Sequence, residues 1–574
     1  MKKKFFLPYS HALDRRTGSF SLTEKILLIL LLLAIITSTF SLLSKISNRF
    51  TVEIPAHGGV LEEALIGIPR FTNPLLAVTD TDRDIVALVY SGLLTAGPGG
   101  SLIGDIAEKY DVSEDGTIYT FTLRDNAVFH DGAPITTDDI EFTINQARDP
   151  ATKSPRRVNW EGVVVEKIDS KIIKFTLKQP YAPFAEVMTL GILPKHIWNQ
   201  IPAEEYSFKE PNSETVGSGP YKITKLRKNT EGIATSIELV SFDKYARGAP
   251  YISKIVLKFY ASDAAAITAY KKNEVESFAS FSSSSSKILI ESAEKKSAKI
   301  FESSLPRLFG IFFNQSHKPI FAQSEVREAL SLATDRRTIV EGLFDGRATA
   351  IVGPLPASIA SATSTDLYDL DEAIRLLERK GWKKNADGIY EKKIGSSLET
   401  LTFSLATSNV AELAETADLI KASWEKLGAK IEVKKFDTSD LNQNVIRPRQ
   451  YDALLFGEAI GRDLDLYAFW HSHERNDPGL NISLYTNRTA DELLEKSRSL
   501  ATIEERRLSL KKFAEIVIQE KPAIFLFSPN ISYVLPAKIE NASLDEIWNT
   551  SDRFHNIQNW YIQTDSVWKI FART

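Results

Sequence analysis

The chain has 574 residues, 43% hydrophobic and 25% charged, with a formal net charge of -4 and no cysteine. Hydrophobic cores stop growing at about 250–300 residues, so two or more lobes are expected. The near-neutral balance supplies no global field for nucleic acid, and the missing cysteines exclude disulfides, thiolate catalysis and Cys-ligated metals.

The first element in chain order is ILLILLLLAIITSTFSLL, Ile26 to Leu43, a run without a charge. A bilayer core takes about 20 apolar residues, with a lower limit near 17. Lys2, Lys3, Lys4, Arg15, Arg16 and Lys25 precede the run against Asp14 and Glu24, and excess Lys and Arg marks the cytoplasmic side. The expectation is a cytoplasmic tail at 1–25, a single-pass anchor in the cell membrane at 26–43 and an extracytoplasmic remainder. A cleaved signal peptide is the alternative, but its apolar region is usually about 7–15 residues long, and no A-x-A site follows here. Residues 44–57 are expected to be a linker, with NRFTVEIPAHGG spanning Asn48 to Gly59.

Beyond it, strands and helices alternate. TIYTFTLR sets Tyr119, Phe121 and Leu123 against Thr120, Thr122 and Arg124, the period of a half-buried strand. HDGAP follows as a turn at Asp131-Gly132. Thr136 with Asp139 reads as a capping box, opening a helix that carries Ile140, Ile144 and Ala147 on one stripe. KIIKFTLK, Lys171 to Lys178, is a second strand, and GSGPYKI, Gly217 to Ile223, a glycine turn into another. The serines from Ser282 to Ser286 read as an exposed loop. Later, Ser324 caps a helix through Val326, Leu330 and Ala333. Asp369 opens another that stops at Gly381, Leu413 to Leu427 forms a third, and Thr489 with Glu492 opens a fourth. Helix, Gly428 and the strand AKIEVKKF make half of a βαβ unit, which predicts parallel sheet and an α/β fold. AIFLFS, Ala523 to Ser528, is an apolar strand.

Several blocks carry a family resemblance: Asp115-Gly116 with YTFTLRDNAVFHDGAPITTDDIEFTI, GSGPYKI, FFNQSHKPIFAQSEVREALSLATDR, DEAIRLLERKGW, YDALLFGEAIGRDLDLYAFWHS, and NISLYTNRTADELLEKSRS with PAIFLFSP. In this order they resemble the family 5 extracellular solute-binding proteins, the oligopeptide-, dipeptide- and nickel-binding components of ABC importers. The likeness runs from about Gly58 to near the C-terminus. It implies a two-lobed periplasmic-binding-protein clamshell of type II. Lobe 1 would comprise 58–304 and 525–574, with an extra subdomain near 78–200, and lobe 2 would comprise 305–524. Chain crossings between the lobes would act as hinges. The resemblance further implies a monomer without enzymatic activity or cofactor, which hands a ligand, first of all an oligopeptide, to an ABC permease. A sensor or chaperone-like module of the same fold, or a receptor for a non-peptide solute such as a metal chelate or sugar, is the alternative.

RDLDLYAFWHSHE, Arg462 to Glu474, concentrates acids, aromatics and histidines. In the family the equivalent segment lines the ligand cavity, and a carboxylate in it pairs with a peptide's α-ammonium. That role falls to Asp463 or Asp465, because an ammonium leaving water needs a charged hydrogen-bonding partner. Arg462 either neutralises one of these acids or receives a ligand carboxylate. Tyr467 and Trp470 would supply apolar area and cation–π attraction. Phe71 and Asn73 in RFTNP, and Phe313 and Asn314 in IFFNQ, are further wall residues, the latter pair where an extended peptide is held as in strand addition. His471 and His473, on one face of a strand, lack the further ligands a metal needs, so none is expected. There is no G-x-S-x-G, H-E-x-x-H or P-loop, and glycosidase acids sit on separate elements, so no catalysis is expected.

Overall fold

The computed structural model describes residues 21–208, 215–280, 283–360, 368–500, 502–544 and 547–568. Lys2, Lys3, Lys4, Asp14, Arg15 and Arg16, which set the expected orientation, lie outside these. The chain forms two compact units: Gly58–Trp560, and the two chain ends, Met1–His57 with Tyr561–Thr574.

In the unit of the chain ends, a helix runs over Leu22–Phe50. Ser21 and Glu24 begin it reciprocally: the Ser21 amide donates to Glu24 Oε2 at 2.7 Å, and the Glu24 amide to Ser21 Oγ at 3.4 Å. Leu22–Ser41, with mean hydropathy 2.0, is long and apolar enough to cross a membrane. The stretch expected to be a linker is ordered instead. The helix continues through Phe50, and Thr51–Ala56 is a strand paired antiparallel with Gln563–Trp568, Thr51 opposite Trp568 and Ala56 opposite Gln563. Gln563–Trp568, expected within the return to lobe 1, thus pairs with an N-terminal strand. Thr51, Val52 and Ile54 on one strand and Thr564, Val567 and Trp568 on the other favour strand, and each strand pairs the other's backbone groups.

In Gly58–Trp560 a twelve-stranded mixed sheet runs through the stretches expected as lobe 1 and lobe 2, and those names are kept for them. The lobe 2 portion holds Lys430–Phe436, Thr402–Ser408, Ala453–Ala459 and Arg307–Phe313. The lobe 1 portion holds Ser277–Ser280, Val60–Ile66, Lys254–Tyr260, Ala234–Ser241 and Tyr221–Lys228. One strand, Ala523–Leu535, belongs to both. Its first part pairs with Arg307–Phe313, and its last part pairs with Lys299–Ser304 and Ser277–Ser280. A second crossing lies beside it at Leu305-Pro306, where the Leu305 amide donates to Pro529 O at 2.9 Å.

Helix Ala411–Leu427 connects the parallel strands Thr402–Ser408 and Lys430–Phe436, the expected βαβ unit. Gly428 ends the helix at φ +108°, where a Cβ would also press on Tyr390 at 3.0 Å. Strand Arg307–Phe313 alternates between two cores. Ile311 and Phe313 face Val326, Leu330 and Trp424, whereas Leu308 and Phe312 face Trp470, Phe513 and Phe525. The subdomain is a four-stranded antiparallel sheet of Ala107–Val112, Ile118–Leu123, Ile172–Thr176 and Val164–Lys167 in that order, with helix Thr137–Arg148. The Thr136–Asp139 capping box begins that helix as expected.

Local signals fail at three places. Ser283–Glu294 is a helix, not a loop, because Leu289 and Ala293 bury against lobe 1; Ser282 lies outside the described residues. Gln323, not Ser324, occupies the N-cap position of helix Ser324–Leu332, with no capping bond from its side chain. Asn487, not Thr489, caps Arg488–Ser499, accepting the Ala490 amide at 3.0 Å. The segment 550–554 is fixed to lobe 1 by a fully buried group of charges: Arg553 pairs with Asp84 at 2.8 Å and Glu63 at 3.1 Å, and Tyr533 donates to Glu63 at 2.9 Å. Removing one partner from such a cluster leaves a buried charge uncompensated.

Candidate functional site

A cavity of about 410 Å³ opens where lobe 1 meets residues 461–463 of lobe 2. Helix Asp80–Val89 contributes Arg83, Val86 and Ala87, and the subdomain Arg156, Trp160, Tyr181 and Glu186. Segment 549–558 adds Asn549, Asp552 and His555. Lobe 2 supplies Gly461, Arg462 and Asp463. Strand Ala453–Ala459 delivers these three: it ends at the interlobe crossing, where the Ile460 amide donates to Pro306 O at 2.8 Å, and a turn closes as the Leu464 amide donates to Gly461 O at 2.9 Å. Leu464 and Leu466 bury into lobe 2, which leaves Arg462 and Asp463 at the cavity. A Cβ at position 461 would stand 2.6 Å from Asp463 Oδ1, so a larger residue there would displace that carboxylate.

The charges at this junction are unevenly satisfied. Arg462 is 7% exposed, and its Nη2 donates to Asp552 Oδ2 at 2.6 Å. Its Nε lies 3.7 Å from Glu186 Oε2, too far for a hydrogen bond. Arg462 Nε and Nη1 and Glu186 Oε2 are buried without any hydrogen-bond partner among the described residues. Burial pushes the Glu186 carboxyl up to about 7, against the pull of Arg462, and Asp552 and Asp463 add to the rise. Burial likewise holds Asp463 above the usual carboxylate range; it accepts a bond from the Asp465 amide at 3.2 Å. Burial lowers the Arg156 guanidinium. A ligand offering both a cation and a hydrogen-bond acceptor would satisfy groups that the protein leaves unpaired.

The other expected wall residues lie elsewhere. Asp465 is held by Arg498, with contacts of 2.9 and 3.1 Å from Nε and 2.7 Å from Nη2, and also receives Tyr181 Oη at 3.2 Å. Its oxygens are already used, in a contact that joins the lobes. Beside it the Ala182 amide donates to Arg498 O at 2.8 Å. Tyr467 stacks on His471 with ring centroids 4.0 Å apart and carries the Arg498 guanidinium at 3.8 Å. Trp470 is a core residue, 0% exposed, with Phe525 at 5.8 Å and Phe312 at 6.1 Å, because its short helix turns it into the lobe 2 sheet.

Phe313 packs on Phe321 at 4.6 Å in the opposite core. Asn314 shapes a turn, donating to Arg449 O at 2.9 Å and accepting the His317 amide at 3.0 Å. Phe71 is half-buried, its amide bound to Asp82 Oδ1 at 3.1 Å. Asn73 accepts the Leu75 amide at 2.8 Å, while its neighbour Pro74 lines the cavity. Of the expected residues, Arg462 and Asp463 are the ones this cavity brings together. His471 and His473 flank a helix end rather than sharing a strand, and His471 Nε2 lies 3.3 Å from Glu495. Glu186, Tyr181, Asp552 and Arg498 were not foreseen. Each gains its role from a partner far along the chain, and YAPFAEV has no periodicity to mark Glu186.

Comparison with known proteins covers nearly the whole chain. The oligopeptide-binding protein AppA of Bacillus subtilis is 26% identical over 550 residues, 93% of this chain and 97% of its own length. Its structure in complex with a nonapeptide aligns with a TM-score of 0.67 and 24% identity, covering 89% of this chain and all of that one. The probable D,D-dipeptide-binding periplasmic protein DdpA of Escherichia coli is 24% identical over 522 residues, 86% of this chain and 95% of its own length. The ABC transporter substrate-binding protein CtaP of Listeria monocytogenes aligns with a TM-score of 0.73 and 24% identity, covering 88% of this chain and 99% of that one. The fold is that of the two-lobed periplasmic binding proteins. Residues 101–478 match the model of the bacterial extracellular solute-binding proteins, family 5 Middle, and the chain belongs to the family 5 extracellular solute-binding proteins.

Proposed function

We propose that this protein is a membrane-anchored extracytoplasmic receptor that captures a short oligopeptide between its lobes and delivers it to an ABC permease. The observation that carries the reading is the cavity itself, lined by polar groups from both lobes. Its volume of about 410 Å³ falls in the range of roughly 300–1,000 Å³ usual for small-ligand sites. Asp463 is the carboxylate available to an α-ammonium, since Arg462 is engaged by Asp552 and Asp465 by Arg498. The AppA complex and the name of DdpA point to peptides as the cargo class. The helix containing Leu22–Ser41 would hold the receptor at the membrane beside its permease.

The test is native mass spectrometry of full-length protein in detergent, mixed with a library of two- to nine-residue peptides. Retention of free-amine peptides, together with peptide uptake that fails when the gene is deleted, is the expected result. Selective retention of sugars or metal chelates from a matched mixture, with no peptide retained, would replace the peptide reading.

A further inference from the structure

Among the polar groups of the cavity, Glu186 stands out. It comes from lobe 1, on the short helix Phe184–Val187 of the subdomain, yet faces Arg462 and Asp463 of lobe 2. Its Oε2 is buried and has no hydrogen-bond partner among the described residues. Opposite it, Arg462 has a side chain only 5% exposed, with Nε and Nη1 equally unpartnered. Arg462 Nε and Glu186 Oε2 therefore stand 3.7 Å apart and do not satisfy one another. Asp552 occupies the one Arg462 nitrogen that is bonded; Arg156 also faces Glu186, and Arg506 and Arg498 face Asp463.

We propose that Glu186 is a second receiver of the ligand's positive end, and that the first residue of a bound peptide is gripped from both lobes. The ammonium sits between Glu186 and Asp463, and the carbonyl oxygen of the same residue accepts from the free Arg462 N–H groups. In an amino-terminal residue these two groups are a few bonds apart, which matches the 3.7 Å between Glu186 Oε2 and Arg462 Nε. The arrangement makes ligand charge a condition of closure. Without a cation, Glu186 and Asp463 face each other across the lobes as like groups. With one, both are neutralised together, and the attraction exists only when the lobes are together. Glu186 thus sets selectivity for a free amino terminus, a role that rests on the peptide-receptor reading above.

The experiment compares retention of a free-amine peptide library and its N-acetylated counterpart by wild-type protein and by Glu186→Gln, with Glu186→Asp as control. Wild type should favour free-amine peptides by at least tenfold, Glu186→Gln should lose about tenfold of that preference, and Glu186→Asp should retain most of it. A purely structural Glu186 would weaken both libraries equally and leave the ratio unchanged, which would overturn the proposal. If Glu186→Gln does not fold, Glu186→Ala replaces it with the same expected loss of preference, and equal retention of acetylated peptides by wild type overturns the two-lobe grip. Retention of neither library by wild type would instead remove the peptide reading itself.

Discussion

Asp463 and Asp465 stand two residues apart, yet the fold uses them differently. Asp463→Asn is expected to weaken capture of free-amine peptides roughly 10- to 150-fold, the equivalent of a charge-assisted hydrogen bond of about 1.5–3 kcal/mol, with an unchanged melting temperature. Asp465→Asn should mainly lower stability, by about 1 kcal/mol, because it unpairs the partly exposed Arg498. Calorimetric titration and thermal melts on both variants check the split; equal affinity losses would refute it. Trp470→Ala should cost about 3–5 kcal/mol of unfolding free energy through the void it leaves among Phe312, Phe513 and Phe525. A purely affinity-lowering Trp470 variant would contradict its core placement.

Glu186 also predicts a pH dependence. Its raised value means that its contribution to stability is complete at acid pH, where the carboxyl is neutral, and is lost as pH rises through about 7. The charges facing it are Arg462, Asp552, Asp463 and Arg156. A bound ammonium favours the ionised form, so peptide binding at pH 6 should release protons, read from titrations in two buffers of different ionisation enthalpy. No buffer dependence would count against the ammonium contact. At this scale the sequence was partly legible. An aromatic beside two acids suits a pocket wall and a core equally well, and Trp470 went to the core because strands Arg307–Phe313 and Ala523–Leu535 present Phe312 and Phe525 to it.

Elements were more legible than residues where their signals were local. The Thr136–Asp139 box, Gly428 and the alternation of Ile118–Leu123 all act within a few positions, and each appears as read. The Ser283–Glu294 helix was hidden because its stability comes from Leu289 and Ala293 packing into lobe 1, not from its serines. Between elements, the lobes touch through the Tyr181 hydroxyl on Asp465 and the Ala182 amide on Arg498 O. Tyr181→Phe removes one of these and should shift ligand-free protein toward a more open form. Small-angle scattering should show a larger radius of gyration than wild type without peptide, and the same radius at saturating peptide. Identical ligand-free radii would show that this contact does not restrain opening.

At the scale of the whole molecule, the split at Gly58 and Trp560 predicts that residues 58–560 fold alone as a soluble receptor. This fragment should melt in one cooperative transition and retain the same peptides as the full chain. Failure to fold would mean that the end unit is required for the core. Protease added to spheroplasts should degrade the large domain of full-length protein and leave the helix region with the membrane; full protection, or a mature terminus beyond Ser41, would refute the anchor. The Thr51–Ala56 and Gln563–Trp568 pairing was not legible, since the two strands read separately as linker and as the return to lobe 1.

That pairing has a consequence for the order of biogenesis. Thr51–Ala56 emerges early, and its partner is synthesised roughly 500 residues later, a sequence separation near the largest this chain allows. Until then the first strand presents an unpaired edge. Closure of the ribbon is therefore a final event, open only to chains translated through Trp568. A nascent chain stalled before Gln563 keeps that edge exposed, where strand-seeking quality-control factors can find it.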